Sequence, residues 1–380
     1  MGQGVSGADS STRAGPPFAF TDARDANSPV DCRPAGWPPV RLRFALKSLK
    51  KVHNKAKTGV PRVRFGQCLG RGALSIHAQG RVVIPNRAPS PVEKLALAVV
   101  HQPERALPAP AGAREEALRF LLQTAADAGV TVVATKPDGD GERLLGQAWP
   151  FPSPFRVTVR TVSIEEGVDR VEARARRSLE RMGLPRGEVL LASRASDLVG
   201  AEGRALWDRM QALKDRGLFR KIGFCATVDD GPALLARRFQ PDVVQLPCSL
   251  LDQRAHRSGA LDEIAALGVD IHVSSVFSGG LLFMSGDALP QDMAHHAPQL
   301  SRIRRRLAEA RVDPMQATLA YTLGLPQVSA VIASAASAAE LRAVVAAAHA
   351  PAPALDWELL QLEHPAAAAA GPRARISSAA

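Results

Sequence analysis

The sequence predicts an α/β protein built as a closed (β/α)8 TIM barrel, preceded by a disordered basic N-terminal extension. Three observations carry this. Short apolar, β-branched runs alternate with helical spacing eight times between Val63 and Ala348. The runs are continuously apolar, as in VTVVA at 130–134, EVLLA at 188–192 and VSAVIA at 328–333. That is the pattern of strands buried on both faces of a parallel sheet. No G-x-G-x-x-G follows an early strand, which favours a closed ring over an open dinucleotide-binding sheet.

The elements follow in order. VRFGQCLG at 63–70 reads as the first strand, and the proline-rich stretch 71–113 as a long loop. Glu115 to Ala128 places Leu118, Leu121, Leu122 and Ala125 on one helical face and stops at Gly129. Val130–Ala134 is a strand, and a helix follows near Glu142–Ala148. Strands at Phe155–Thr161, Glu188–Ser193, Arg220–Phe224, Asp242–Leu246, Val269–Ser274 and Val328–Ala333 continue the alternation. The helices between and after them run over Val168–Met182, Glu202–Asp215, Asp230–Arg238, Ser258–Leu267, Asp313–Leu323 and Ser337–Ala348.

The 380 residues, 46% hydrophobic and 22% charged, suffice for a barrel of about 250 residues with tails. The domains expected are a disordered basic leader at 1–60, the barrel at 61–350 and an Ala/Pro-rich tail at 351–380. No apolar run of about 18 residues predicts a membrane span, and no apolar stretch of signal-peptide type opens the chain. The four cysteines, Cys32, Cys68, Cys225 and Cys248, lack C-x-x-C spacing, so neither a disulfide framework nor a structural metal site is expected. A cytoplasmic location follows as the default.

The net charge of +11 raises the question of nucleic acid. Residues 1–66 hold twelve Lys/Arg against four Asp/Glu, and residues 67–380 hold 36 against 33. The basicity therefore belongs to the leader, and aromatic residues make up only 4% of the chain, so no nucleic-acid platform is expected. RLRFALKSLKKVHNKAK at 41–57 intersperses Phe44, Leu46, Leu49 and Val52 among its cations. It reads either as a solvated tail or as a short segment that touches a membrane surface. His295 and His296 are adjacent rather than one turn apart and read as solvated, and Cys225 as a buried, inert thiol.

Several segments carry a family resemblance. They are GDGERLLGQAW at 139–149, RSLERMGLPRGEVLLAS at 177–193, LWDRMQALKDRGLFRKIGF at 206–224, PDVVQLPCSLLDQR at 241–254, VSSVFSGGLLFM at 273–284 and VSAVIASAASAAELRAVV at 328–345. In this order and spacing the stretch from about Glu115 to Ala348 resembles the aldo/keto reductases, closest to a bacterial sugar-processing branch. The resemblance implies a barrel that binds NADP or NAD at its C-terminal mouth and passes hydride to a carbonyl of a sugar-like or small substrate. It also implies a tyrosine acid, tuned by a lysine and an aspartate, with a histidine to orient the substrate. That set answers a chemical need, because hydride arrival creates an alkoxide that must be protonated in place.

Anchored on GERLLG, the aspartate position falls on Val133, the tyrosine on Asp138, the lysine on Arg160 and the histidine on Ser193. All four differ, and the chain's single tyrosine, Tyr321, lies in a late helix, where packing is its expected role. Asp138, ionised at neutral pH, accepts a proton rather than donates one, and Arg160 does not exchange its proton. An Asp138–Arg160 ion pair is expected. Ser193 either contacts a ligand or caps a strand end. For the cofactor, the resemblance implies contacts from Gln245, Ser275, Gly280, Ser334 and Ser337, while Cys225 and Ala226 replace a Ser-Asn pair. Gln245 serves either a ligand or a core polar network, and Ser337 either an anion or its own helix. The expected function is that of a diverged, weak or inactive member that takes a small molecule or nucleotide. The alternatives are an active oxidoreductase with a rearranged acid, Asp138 with Arg160, and a non-catalytic binding or interaction protein.

Overall fold

The computed structural model describes residues 90–99, 112–137, 140–150 and 152–363. Eight parallel strands form a closed ring in sequence order. They are β1 (Leu95–Val99), β2 (Val132–Ala134), β3 (Arg156–Arg160), β4 (Gly187–Ala192), β5 (Phe219–Cys225), β6 (Val243–Pro247), β7 (Asp270–Ser274) and β8 (Val328–Ala335). β8 pairs back onto β1, with Ala98 opposite Ser334, so no sheet edge is left.

The helices are α1 (Ala113–Asp127), α2 (Gly141–Ala148), α3 (Val168–Met182), α4 (Ser196–Val199), α5 (Gly203–Asp215), α6 (Pro232–Phe239), α7 (Arg254–Arg257), α8 (Ala260–Ala266), α9 (Ala297–Glu309), α10 (Pro314–Leu323) and α11 (Ala338–His349). Among the described residues no helix is long and apolar enough to cross a membrane.

The first strand of the ring differs from the sequence expectation. It is Leu95–Val99, inside the stretch read as a loop, and residues 63–70 lie outside the described residues. A one-turn 3-10 helix, Pro91–Lys94, leads into β1 and is closed by a Ser90/Glu93 capping box. At the other end, residues 351–363 (counted with the tail) pack on the barrel. Leu360 and Leu362 are buried, and the Gln253 amide donates to the Trp357 carbonyl at 2.6 Å. His296 is buried rather than solvated, and His295 is exposed.

Two apolar layers hold the ring. The larger lies between strands and helices and includes Leu97, Leu122, Val157, Leu190, Phe224, Leu246 and Val331. The smaller lies inside the ring and joins Val189, Leu191 and Val243, with Cys225 against them. Gly223 faces the same interior, since it pairs with Leu191 and Val243, and a Cβ there would meet the Leu191 side chain at 3.1 Å. Side chains alternate along a strand, so this inner cluster fixes which residues of every strand point inward.

Candidate ligand site at the barrel mouth

Following the strand register from the inner cluster, the inward residues of β3 are Thr158 and Arg160, opposite Val189 and Leu191. On β5 and β6 they include Cys225 and Gln245, which pair with each other. On β7 His272 pairs with Gln245. Ala98 of β1, Ala134 of β2 and Ser334 of β8 share the inward face. Three of these walls are alanine or serine, where a barrel interior is ordinarily filled by branched side chains. The interior therefore keeps space, and Ala98, Ala134, Arg160, Cys225, His272 and Ser334 are only partly buried.

The polar groups along this face are short of partners. Thr158 is 2% exposed and its hydroxyl has no hydrogen-bond partner among the described residues. Gln245 is 2% exposed, and among the described residues no hydrogen bond reaches its amide. Buried polar side chains are ordinarily paired, so both groups are free to bond to a ligand. Arg160, at the C-terminal end of β3, has no hydrogen bond or carboxylate partner among the described residues. Lys136, two residues beyond β2, is exposed and equally unpaired among them. Both cations act on the Cys225 thiol. Burial pushes that thiol up, and Arg160 and Lys136 pull it down. Lys136, Thr158 and His272 were not singled out by sequence reasoning. The signal was a polar side chain in step with inward neighbours, as in VATK, RVTVR and DIHVS.

Ser193 has partners already. Its hydroxyl donates to the Thr161 carbonyl, and its backbone N–H donates to Thr161 Oγ1 at 3.1 Å. It ties the ends of β3 and β4 together. Asp138 lies outside the described residues. Among the described residues nearby, Arg174 of α3 donates to the Pro137 carbonyl at 3.0 Å and pairs with the fully buried Glu142 of α2 at 3.1 Å.

The loop after β7 is strained. Ser275 and Ser278 adopt left-handed backbone at φ 56° and 48°, followed by Gly279 at 66° and Gly280 at 86°. Such outliers are costly and cluster at ligand clamps. The Ser278 hydroxyl is fixed 2.6 Å from that of Ser249, and the Gly280 N–H is given to the Phe277 carbonyl at 2.8 Å. Space opens beyond Gly279, where a Cβ would meet nothing within 4 Å. Ser337 is the N-cap of α11. Its hydroxyl accepts the Glu340 N–H at 3.2 Å, and Glu340 in turn accepts the Ala336 N–H at 2.8 Å.

Tyr321 is not among the inward-facing strand residues. It sits on α10, outside the strand ring, 5% exposed, with its hydroxyl 3.2 Å from His256 Nδ1 and its ring against Trp357. Burial pushes its phenol well above the ordinary range.

A barrel of this topology with its polar groups gathered at the C-terminal mouth is the frame of a large class of enzymes. The aldo/keto reductase family model matches residues 110–361, and the chain belongs to that family of oxidoreductases. Among solved structures it is similar to an aldo-keto reductase of Bacillus halodurans in its holo form. That match has 18% identity and a TM-score of 0.52, covering 64% of this chain and 85% of that one. It is also similar to a Pseudomonas aeruginosa protein assigned to the aldo-keto reductases, at 22% identity and a TM-score of 0.48, covering 67% and 89%. No curated protein matches the chain. Aldo/keto reductases generally use NAD(P).

Proposed function

We propose that this chain is a diverged aldo/keto reductase whose mouth still binds a nicotinamide nucleotide and a small polar ligand, while carbonyl reduction is slow or absent. The observation that carries this reading is the position of Tyr321. It is the chain's one tyrosine, and it is locked on α10 against His256 rather than at the mouth.

The residues present fit a nucleotide in part. Gln245 has an amide that no hydrogen bond reaches among the described residues, of the kind that grips a carboxamide, and the Ser275–Gly280 loop has the backbone freedom that admits a phosphate. Ser334 faces the same interior. At α11 the fit is poorer: Ser337 takes the Glu340 N–H, Glu340 takes the Ala336 N–H, and a carboxylate at this helix start repels an added phosphate. The nucleotide, when bound, supplies hydride. The chain's part is then to stabilise the alkoxide formed. Arg160 offers positive charge for that, but an arginine side chain is not a proton donor in general acid catalysis.

Calorimetric titration with NAD and NADP tests the binding half. Both should bind, with NADP no tighter than NAD. The absence of heat at millimolar nucleotide would end the reading. The catalytic half is tested by NADH and NADPH oxidation with a panel of aldoses. Turnover lost on Asp138→Asn would instead make Asp138 the working acid.

A further inference from the structure

We infer that the barrel mouth selects a small organic anion, a carboxylate or phosphate ester, held by Arg160 and Lys136. This rests on reading the mouth as the ligand site and names the class of ligand it takes. Four observations converge. Arg160 is inward-facing, partly buried and unpaired among the described residues. Lys136 joins it at the next strand end, also unpaired among them. Both act on one atom, the Cys225 sulfur, so their fields overlap in the same small volume. Below them Thr158 holds a buried hydroxyl with no partner, and Gln245 an amide with none among the described residues. A neutral sugar would satisfy the hydroxyl and the amide but leave both cations without a counter-charge. An anion satisfies all four groups, and a planar guanidinium matches the two oxygens of a carboxylate or phosphate.

Cys225 gives a direct readout, since trypsin releases it in a peptide, 222–237, that contains no other cysteine. The full-length chain is treated separately with iodoacetate and iodoacetamide at matched pH and ionic strength. Rates at Cys225 are followed by mass spectrometry and normalised to free glutathione. The anionic reagent should be favoured about tenfold, the scale of electrostatic focusing into a charged cleft. Arg160→Gln should abolish most of that preference, and Arg160→Lys should restore part of it. Lys136→Gln, at an exposed position, gives the same answer if the Arg160 variants do not fold.

Succinate and inorganic phosphate are then added as competitors. Slowing by succinate alone assigns a carboxylate ligand, and slowing by phosphate alone a phosphate ester. Slowing by both supports the shared chemistry. Equal normalised rates, a preference unchanged in the variants, or a Cys225 that neither reagent reaches would overturn the proposal. An Asp138–Arg160 ion pair that cancels the charge would read as equal rates. A preference without protection by either anion also overturns it, because charge then acts without a binding site. No nucleotide enters the experiment, so its failure is separable from failure of the cofactor titration.

Discussion

Glu142 and Arg174 each depend on the other. The Glu142 side chain is fully buried and its oxygens make no hydrogen bond of good geometry, so the 3.1 Å contact to Arg174 is its electrostatic compensation. Removing one member of a buried pair costs about 3–5 kcal/mol, whereas replacing both by apolar groups is often neutral. Glu142→Leu should therefore lower stability to urea by several kcal/mol, and Glu142→Leu with Arg174→Met by clearly less. Because Arg174 also holds Pro137, Arg174→Met alone should loosen the backbone at Pro137 and speed proteolysis there. Tyr321→Phe is the opposite kind of change. It removes one partly buried hydrogen bond to His256, a loss of about 1 kcal/mol. Any residual carbonyl reduction should persist at its original rate, a result that a phenol acid at the mouth could not give.

At the scale of elements, α11 shows how a helix end can serve itself. The Ser337 hydroxyl takes the Glu340 N–H in the first turn, and the Glu340 carboxylate takes the Ala336 N–H just before it. Ser337→Ala should cost about 1 kcal/mol in chemical melts, the usual value of a lost N-cap. The residue type alone left Ser337 open between cap and anion contact, and only the position of Glu340 decides it. The strands differ in how readable they were. EVLLA and VSAVIA stand out because strands covered on both faces are continuously apolar. LALAV of β1 is equally apolar, yet Pro89, Pro91 and Pro103 surround it and make its neighbourhood read as loop. The site was less legible for a related reason. Where both faces of a strand are buried, composition does not say which residues point inward, and only the register to Val189, Leu191 and Val243 places Arg160 and Gln245 together. Ser193 was ambiguous because a strand-end serine finds backbone partners as readily as ligands, and here Thr161 supplies both.

The whole molecule carries its acid sensitivity inside and outside the ring, in two separable windows. Inside, burial holds the His272 imidazole down at about 4, with Asp270 pulling it up and Lys221 pushing it down. Outside, burial raises Glu172, but Arg209, Arg176 and Arg216 together bring it down to about 2. The two linkages have the same sign and different pH ranges. For His272 the unfolded chain takes up its proton near pH 6.5 and the folded chain only near 4. The unfolded state therefore binds more protons between those values, and stability falls as pH drops through them, by at most about 3 kcal/mol. For Glu172 the stabilisation is complete above about pH 4.5 and is lost as pH falls toward 2. Urea melts of His272→Leu should thus show a flat stability between pH 6.5 and 4.5, where the parent chain declines. Glu172→Gln should start lower at neutral pH and lose less below pH 4.5. A parent chain equally stable at pH 7 and 4.5 would mean that water in the open ring already solvates the imidazole. That outcome would bear on the site as well, because a mouth wet down to His272 would screen Arg160 and Lys136 from the anion they are placed to hold.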